Sequence, residues 1–134
     1  MKIAMIIVRT LMGLLFVFSS VTYLLMIMGI FPMPEMPAGA MKTFNEGLAA
    51  SGYFFTLLKI TEFVCGFLLL IGRFVPLAMV IISPVIINIV LTHAVLAPEG
   101  IGPGLFLALG NIFLAYCYRD AFKPLLTSKY QPLN

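Results

Sequence analysis

The chain predicts an all-α fold: a four-helix transmembrane bundle with both termini on the cytoplasmic side. Three observations predict it. Of 134 residues, 62% are apolar and only 10% charged, where a soluble domain carries about 25% charged residues. The apolar residues form continuous runs about as long as a membrane-spanning helix, which needs roughly 20 residues. Proline- and glycine-rich breaks separate the runs, and the cations gather at alternate breaks. A transmembrane β-barrel would instead show alternating segments of about ten residues. Continuous runs favour helices, whose backbone groups are satisfied within the segment. The length leaves room for one domain, 1–134, with little mass outside the membrane.

The first span covers about residues 3–30. Its opening resembles a signal peptide, but the apolar stretch far exceeds a signal core of about 7–15 residues, so it reads as a retained span that tilts or emerges from the bilayer. An outer loop follows over 31–50. Pro32, Pro34 and Pro37 crowd its first part and cannot continue a helix. Ala38 to Ala50 is a mildly amphipathic connector, either a short interfacial helix resting on Met41, Phe44 and Leu48 or a disordered linker. Lys42 and Glu46 stand there as an i,i+4 pair.

The second span covers about 51–71. Gly72-Arg73-Phe74 makes a tight turn, and Pro76 suits the first turn of the third span, about 75–96. Pro84 inside that span predicts a kink or a freed carbonyl. Residues 97–104, APEGIGPG, form a second break, and the fourth span covers about 104–118. Tryptophan is absent, so Tyr53, Tyr116 and Tyr118 are expected to anchor the interface. Lys2, Arg9, Arg73, Arg119, Lys123 and Lys129 fall on one side of this arrangement, and Lys42 with Glu35, Glu46 and Glu99 on the other. The excess of cations places the termini inside. No basic stripe suggests nucleic acid. The expected partners are the lipid bilayer and a membrane protein or a second copy of the chain.

Lys59 and Glu62 interrupt the second span. An acid within a membrane span costs several kcal/mol unless paired or hydrated, so it marks a candidate site. Counting from the outer helix ends at 1.5 Å per residue places Lys59 about 12 Å deep and Glu62 about 16 Å. The same count gives about 13 Å for Asn88 and Asn111, about 12–16 Å for Ser19, Ser20 and Thr22, and about 6 Å for His93. All four spans thus offer polar groups to one layer in the outer half. The candidate site residues are Lys59, Glu62, Asn88, His93, Asn111 and Ser20. A structural reading stands beside the functional one. Serine, threonine and asparagine commonly bond across membrane helices, at about 1 kcal/mol each, and Lys59 and Glu62 at i,i+3 can neutralise each other. Gly66 with Gly72, or Gly13 with Gly29, would supply close packing. Cys65 and Cys117 fall at similar heights without a CxxC motif and read as small buried hydrophobes. One histidine and two cysteines at unrelated depths make no metal ligand set.

The stretch from Leu57 to His93 carries Glu62, Gly66, Leu68 to Leu70, Gly72-Arg73, Pro76-Leu77-Ala78, Asn88 and His93, and the first span carries Arg9, Gly13 and Phe16. In these features the chain resembles the DoxX family of small four-helix membrane proteins. The resemblance implies a four-helix bundle in the bacterial cytoplasmic (inner) membrane and singles out Glu62. It also implies association with redox enzymes such as a thiosulfate:quinone oxidoreductase, or with membrane-protein assembly. The chain departs from many relatives in the first span. Ser19-Ser20-Val21-Thr22-Tyr23 stands where a glycine and a cation commonly follow the aromatic segment.

Three functions are open to such a chain. The first is a membrane redox or respiratory role, with quinone or a lipid headgroup bound in the polar layer; it expects a lipid-accessible pocket around Lys59, Glu62, Asn88 and Asn111. The second is a non-catalytic structural or assembly subunit, in which Lys59 and Glu62 bond only each other and neighbouring helices. The third is an oligomeric transporter of small solutes or protons.

Overall fold

The computed structural model describes residues 1–133, and its regular structure is all helix, with no strand among them. Six α-helices follow in chain order: α1 (Lys2–Ile27), α2 (Ala40–Ala50), α3 (Phe54–Ile71), α4 (Val75–Leu96), α5 (Gly102–Cys117) and α6 (Arg119–Phe122). Short 3₁₀ turns cover Pro98–Gly100 and Lys123–Leu126. Helices α1, α3 and α4 are long and apolar enough to cross a membrane. Helix α5 is equally apolar but has 16 residues, about 24 Å at 1.5 Å per residue.

Glycine geometry sets the helix ends. Helix α1 stops at Ile27, three residues before the expected Ile30, because Gly29 takes a left-handed φ of 80°. The Ile30 amide then bonds the Leu25 carbonyl and the Gly29 amide bonds Met26, the paired closure of a Schellman motif. Helix α3 starts at Phe54 rather than Ser51 because Gly52 is also left-handed, at 80°. Ser51 Oγ accepts the Phe54 amide at 3.1 Å and donates to the Leu48 carbonyl at 2.7 Å, so one hydroxyl joins α2 to α3. Gly72, at φ 69°, closes α3, and Arg73 N bonds Leu68 O. Phe74 follows at φ 54°, a rare conformation for a residue with a Cβ, and α4 begins at Val75 as expected. Helix α4 runs on through Pro84 to Leu96. The connector from Ala38 to Ala50 is a helix from Ala40 onward, resolving the two expectations for it in favour of the helical one.

Helices α1, α3, α4 and α5 close a ring of contacts in which α1 touches α3 and α5, and α4 touches the same two. Helices α3 and α5 therefore stand diagonally, which separates the elements carrying Cys65 and Cys117. Both cysteines are free; Cys65 is buried in the core and Cys117 half-buried. The core joins Met12 and Phe16 of α1, Leu69 of α3, Met79 and Ile82 of α4 and Leu114 of α5. The outer faces are apolar as well: Leu109 is 66% exposed and Ile112 67%. Surfaces of this kind suit lipid rather than water. The start of α1, the end of α5 and the α3–α4 turn lie at one end of the molecule, hereafter the termini end. There Arg9 donates to Tyr118 Oη at 3.2 Å and its guanidinium lies against Gly72. Tyr118 thus turns inward, while Tyr53 and Tyr116 are exposed.

At the α1–α3 contact two backbones meet closely. A Cβ on Gly13 would sit 2.8 Å from Gly66 O, and one on Gly66 would sit 2.8 Å from Phe16 Cβ. Gly13 and Gly66 pair across this seam, whereas Gly29 is open and Gly72 meets Arg9. Replacing Gly66 with alanine must push two backbones apart, at a cost of about 1–3 kcal/mol. Gly47, on exposed α2, has nothing near its would-be Cβ, so Gly47→Ala should be neutral or stabilise by about 0.5–1 kcal/mol. Unfolding midpoints in a mild detergent distinguish the two variants, and equal midpoints would dismiss the seam as a close-packed contact.

Candidate functional site

Helix α3 carries Glu62 on its buried stripe, with Cys65, Gly66 and Leu69 at the following helical positions. Glu62 is only 3% exposed. Lys59 lies one turn earlier, and its ammonium reaches back to Glu62 Oε2 at 2.9 Å. The same ammonium donates to Ser19 Oγ on α1 at 3.2 Å and stands 5.6 Å from the centre of the Tyr23 ring. Phe55 packs against Tyr23 with ring centres 5.6 Å apart, closing the loop-end side of the pair. The polar contact therefore bridges α1 and α3 on the outer side of their seam, where Ser19 is exposed and Glu62 is not.

The two charges are unequally placed. The Lys59 side chain keeps 14% exposure and Glu62 4%. A buried carboxylate without a partner would be strongly unfavourable, and the Lys59 ammonium supplies that partner. Lys59 has three N–H donors, and the two bonds above use two of them. The third donor and the Ser19 hydroxyl offer a carbonyl or phosphate oxygen two adjacent partners.

The other expected residues do not join this pair. Ser20 turns inward and donates to Phe16 O at 2.7 Å, with Val17 O at 3.1 Å. Its neighbour Ser19 makes the interhelical contact instead, because adjacent residues point about 100° apart on a helix. Asn88 is exposed and spends its amide on Pro84 O, 2.9 Å away on its own helix. His93 Nδ1 lies 2.9 Å from Ile89 O, and its ring packs against Gly100, where a Cβ would come within 3.0 Å. Asn111 crosses from α5 to α4 and donates to Ser83 Oγ at 2.9 Å, while Ser83 donates to Met79 O. Asn111 Oδ1 is buried without a partner. Ser83 was missed in the sequence. The depth count places Asn111 level with Asn88, but the contact falls five residues earlier on α4, and Asn88 is exposed.

The single layer expected from depth thus separates into an α1–α3 contact and an α4–α5 contact, with Asn88 and His93 satisfied locally. A groove of about 510 Å³ between α1 and α5 is lined by Leu11, Leu14, Leu15, Phe18 and Phe106, all apolar. A second, of about 390 Å³, lies at the termini end. Neither is lined by Lys59, Glu62, Asn88 or Asn111, so neither is the common pocket expected around those four. No family model, curated protein or solved structure matches the chain.

The pair's contribution is separable by substitution. Glu62→Leu leaves the Lys59 ammonium without its carboxylate, and should lower stability by about 2–3 kcal/mol, below the range for fully buried pairs because Lys59 is partly exposed. The Lys59→Met/Glu62→Leu double variant removes both charges and should recover most of that loss. Reversible unfolding in mixed micelles measures the coupling, and additive losses would mean that the two side chains do not interact.

Proposed function

We propose that this chain is a four-helix transmembrane bundle of the bacterial inner membrane, with both termini cytoplasmic, and that it serves a membrane redox system by holding a quinone or lipid headgroup at Lys59. Its three long apolar helices make it a membrane protein. The fourth span is α5, which reaches the interface with the help of the Tyr118 turn and α6. The distribution of Arg and Lys supports the orientation, and the resemblance of Leu57 to His93 to the DoxX family supports the redox setting. One observation carries the site: Lys59 reaches the exposed Ser19 across α1–α3 while its partner Glu62 stays buried. A headgroup oxygen arriving from the lipid can accept from both Lys59 and Ser19, and Glu62 holds the ammonium in position.

A second reading is favoured by a specific observation. Lys59 and Glu62 are bonded to each other and to a neighbouring helix, which also suits a non-catalytic structural or assembly subunit. Extraction of bound lipids from the natively purified protein separates the two. The headgroup reading expects quinone or one lipid class enriched over the surrounding membrane. It also expects Glu62→Gln to accumulate normally yet lose that enrichment. A ligand-free wild-type protein that co-purifies with a larger enzyme would instead favour the subunit reading. The orientation has its own test. Reporters that fluoresce only in the cytoplasm should light up on both termini, and a dark fusion at either end would overturn it.

A further inference from the structure

The termini end holds a groove that the Lys59–Glu62 site does not use. Its lining includes Lys2 and Met5 from the start of α1, and Tyr116, Cys117 and Arg119 from the end of α5 and the turn beyond it. Met1, Met5, Tyr116 and Cys117 give it apolar lining, and Lys2 and Arg119 are its cationic side chains. Arg119 is held in place: Nη1 donates to Tyr116 O at 3.0 Å, and the guanidinium lies 4.6 Å from the centre of the Tyr116 ring. No acidic side chain lines the groove. Among the described residues, the acidic side chain near this end, Asp120, pairs with Lys123 at 2.6 Å. Among the described residues, Lys2, Arg9, Arg73 and Arg119 form no ion pair.

We propose that this groove seats an anionic phospholipid, its phosphate between Lys2 and Arg119 and its acyl chains running over Met5 towards the apolar outer faces of α1 and α5. Charge complementarity selects the headgroup, since a cationic lining without acids disfavours net-neutral lipids less than it favours anionic ones. The apolar lining selects a lipid over a soluble anion, which would gain nothing from Met5 and Cys117. The position selects it again, because the ends of membrane-spanning helices lie at the depth of lipid phosphates. The site rests only on the chain being a membrane protein and is independent of any ligand at Lys59.

The test uses the full-length protein in a mild detergent, with equimolar phosphatidylglycerol and phosphatidylcholine added, and counts retained lipid by native mass spectrometry. Wild type should retain phosphatidylglycerol preferentially, and the preference should weaken as salt rises. Lys2→Gln/Arg119→Gln should reduce the preference roughly tenfold. Arg119→Lys should keep it, and so should Lys123→Gln, whose lysine is already paired with Asp120. Both side chains replaced in the double variant are exposed, and the wild-type salt series reads the site without any substitution. Equal retention of the two lipids by wild type, an unchanged preference in the double variant, an equal loss in Lys123→Gln, or displacement by millimolar inorganic phosphate would each overturn the proposal.

Discussion

Two helices whose backbones meet through glycine cannot slide or rotate far without collision, and in this protein that contact fixes much of what lies along it. Gly13 and Gly66 bring α1 and α3 to within backbone contact. Six residues along α1 towards the loop end, Ser19 meets Lys59, seven residues back along α3. Four residues the other way, Arg9 lies against Gly72, six residues further on. The three contacts share one antiparallel register. A wider seam would separate Ser19 from the ammonium and lift the guanidinium off the end of α3. The packing of small residues therefore comes first, and the polar contacts follow from it. This order is reasonable in lipid, where apolar side chains gain little from leaving a medium as apolar as themselves and close van der Waals packing carries more of the association.

The ion pair is a poor source of stability by itself, because desolvating two charges offsets much of their attraction. Its effect on structure is selective. Glu62 is tolerable only with Lys59 in place, and Lys59 in turn is aimed at α1 by the carboxylate on one side and Ser19 on the other. Rotating α3 about its axis would break both bonds and bury the charges against apolar side chains. The pair thus penalises alternative registers more than it rewards the native one. The Ser83–Asn111 bond has the same effect between α4 and α5. The two contacts link different pairs of neighbours in the ring, so each constrains an interface that the other does not touch.

Turns and breaks were legible in the sequence because they are made by residues with one conformational use. Gly72 and Pro76 mark the α3–α4 turn, and the expected span of 75–96 coincides with α4. The errors also trace to glycine. Gly29 and Gly52 lie inside apolar or small-residue runs and were counted into the spans, but their left-handed backbones end α1 and delay α3. The site was less legible for a geometric reason. Residue counting gives height along a helix but not azimuth, and Asn88 and Asn111 at equal height face different ways. In a soluble helix the polar stripe would supply the azimuth. Here both faces are apolar, so the sequence pattern does not separate Ser19 from Ser20, or Ser83 from Asn88. Gly110, which packs its backbone against Met12, went unnoticed for the same reason.

Arg9 explains why the termini end carries uncompensated charge. Its guanidinium has no carboxylate among the described residues; it has the Tyr118 hydroxyl and the backbone at the C-terminus of α3. The last carbonyls of a helix carry a partial negative charge, worth up to about 2 kcal/mol to a partly buried cation. That is enough to hold Arg9 in place but leaves its full positive charge unneutralised, and its Nε remains buried without a partner. An acid there would cancel the charge. The Tyr118 hydroxyl and the packing against Gly72 keep the charge, tie α1 to the ends of α3 and α5, and leave the field of Arg9 to add to that of Arg73, Lys2 and Arg119. Among the described residues no carboxylate pairs with any of these four side chains. In a membrane the anions present at that height, in quantity and with an apolar body to match the helix surface, are those of the lipid itself.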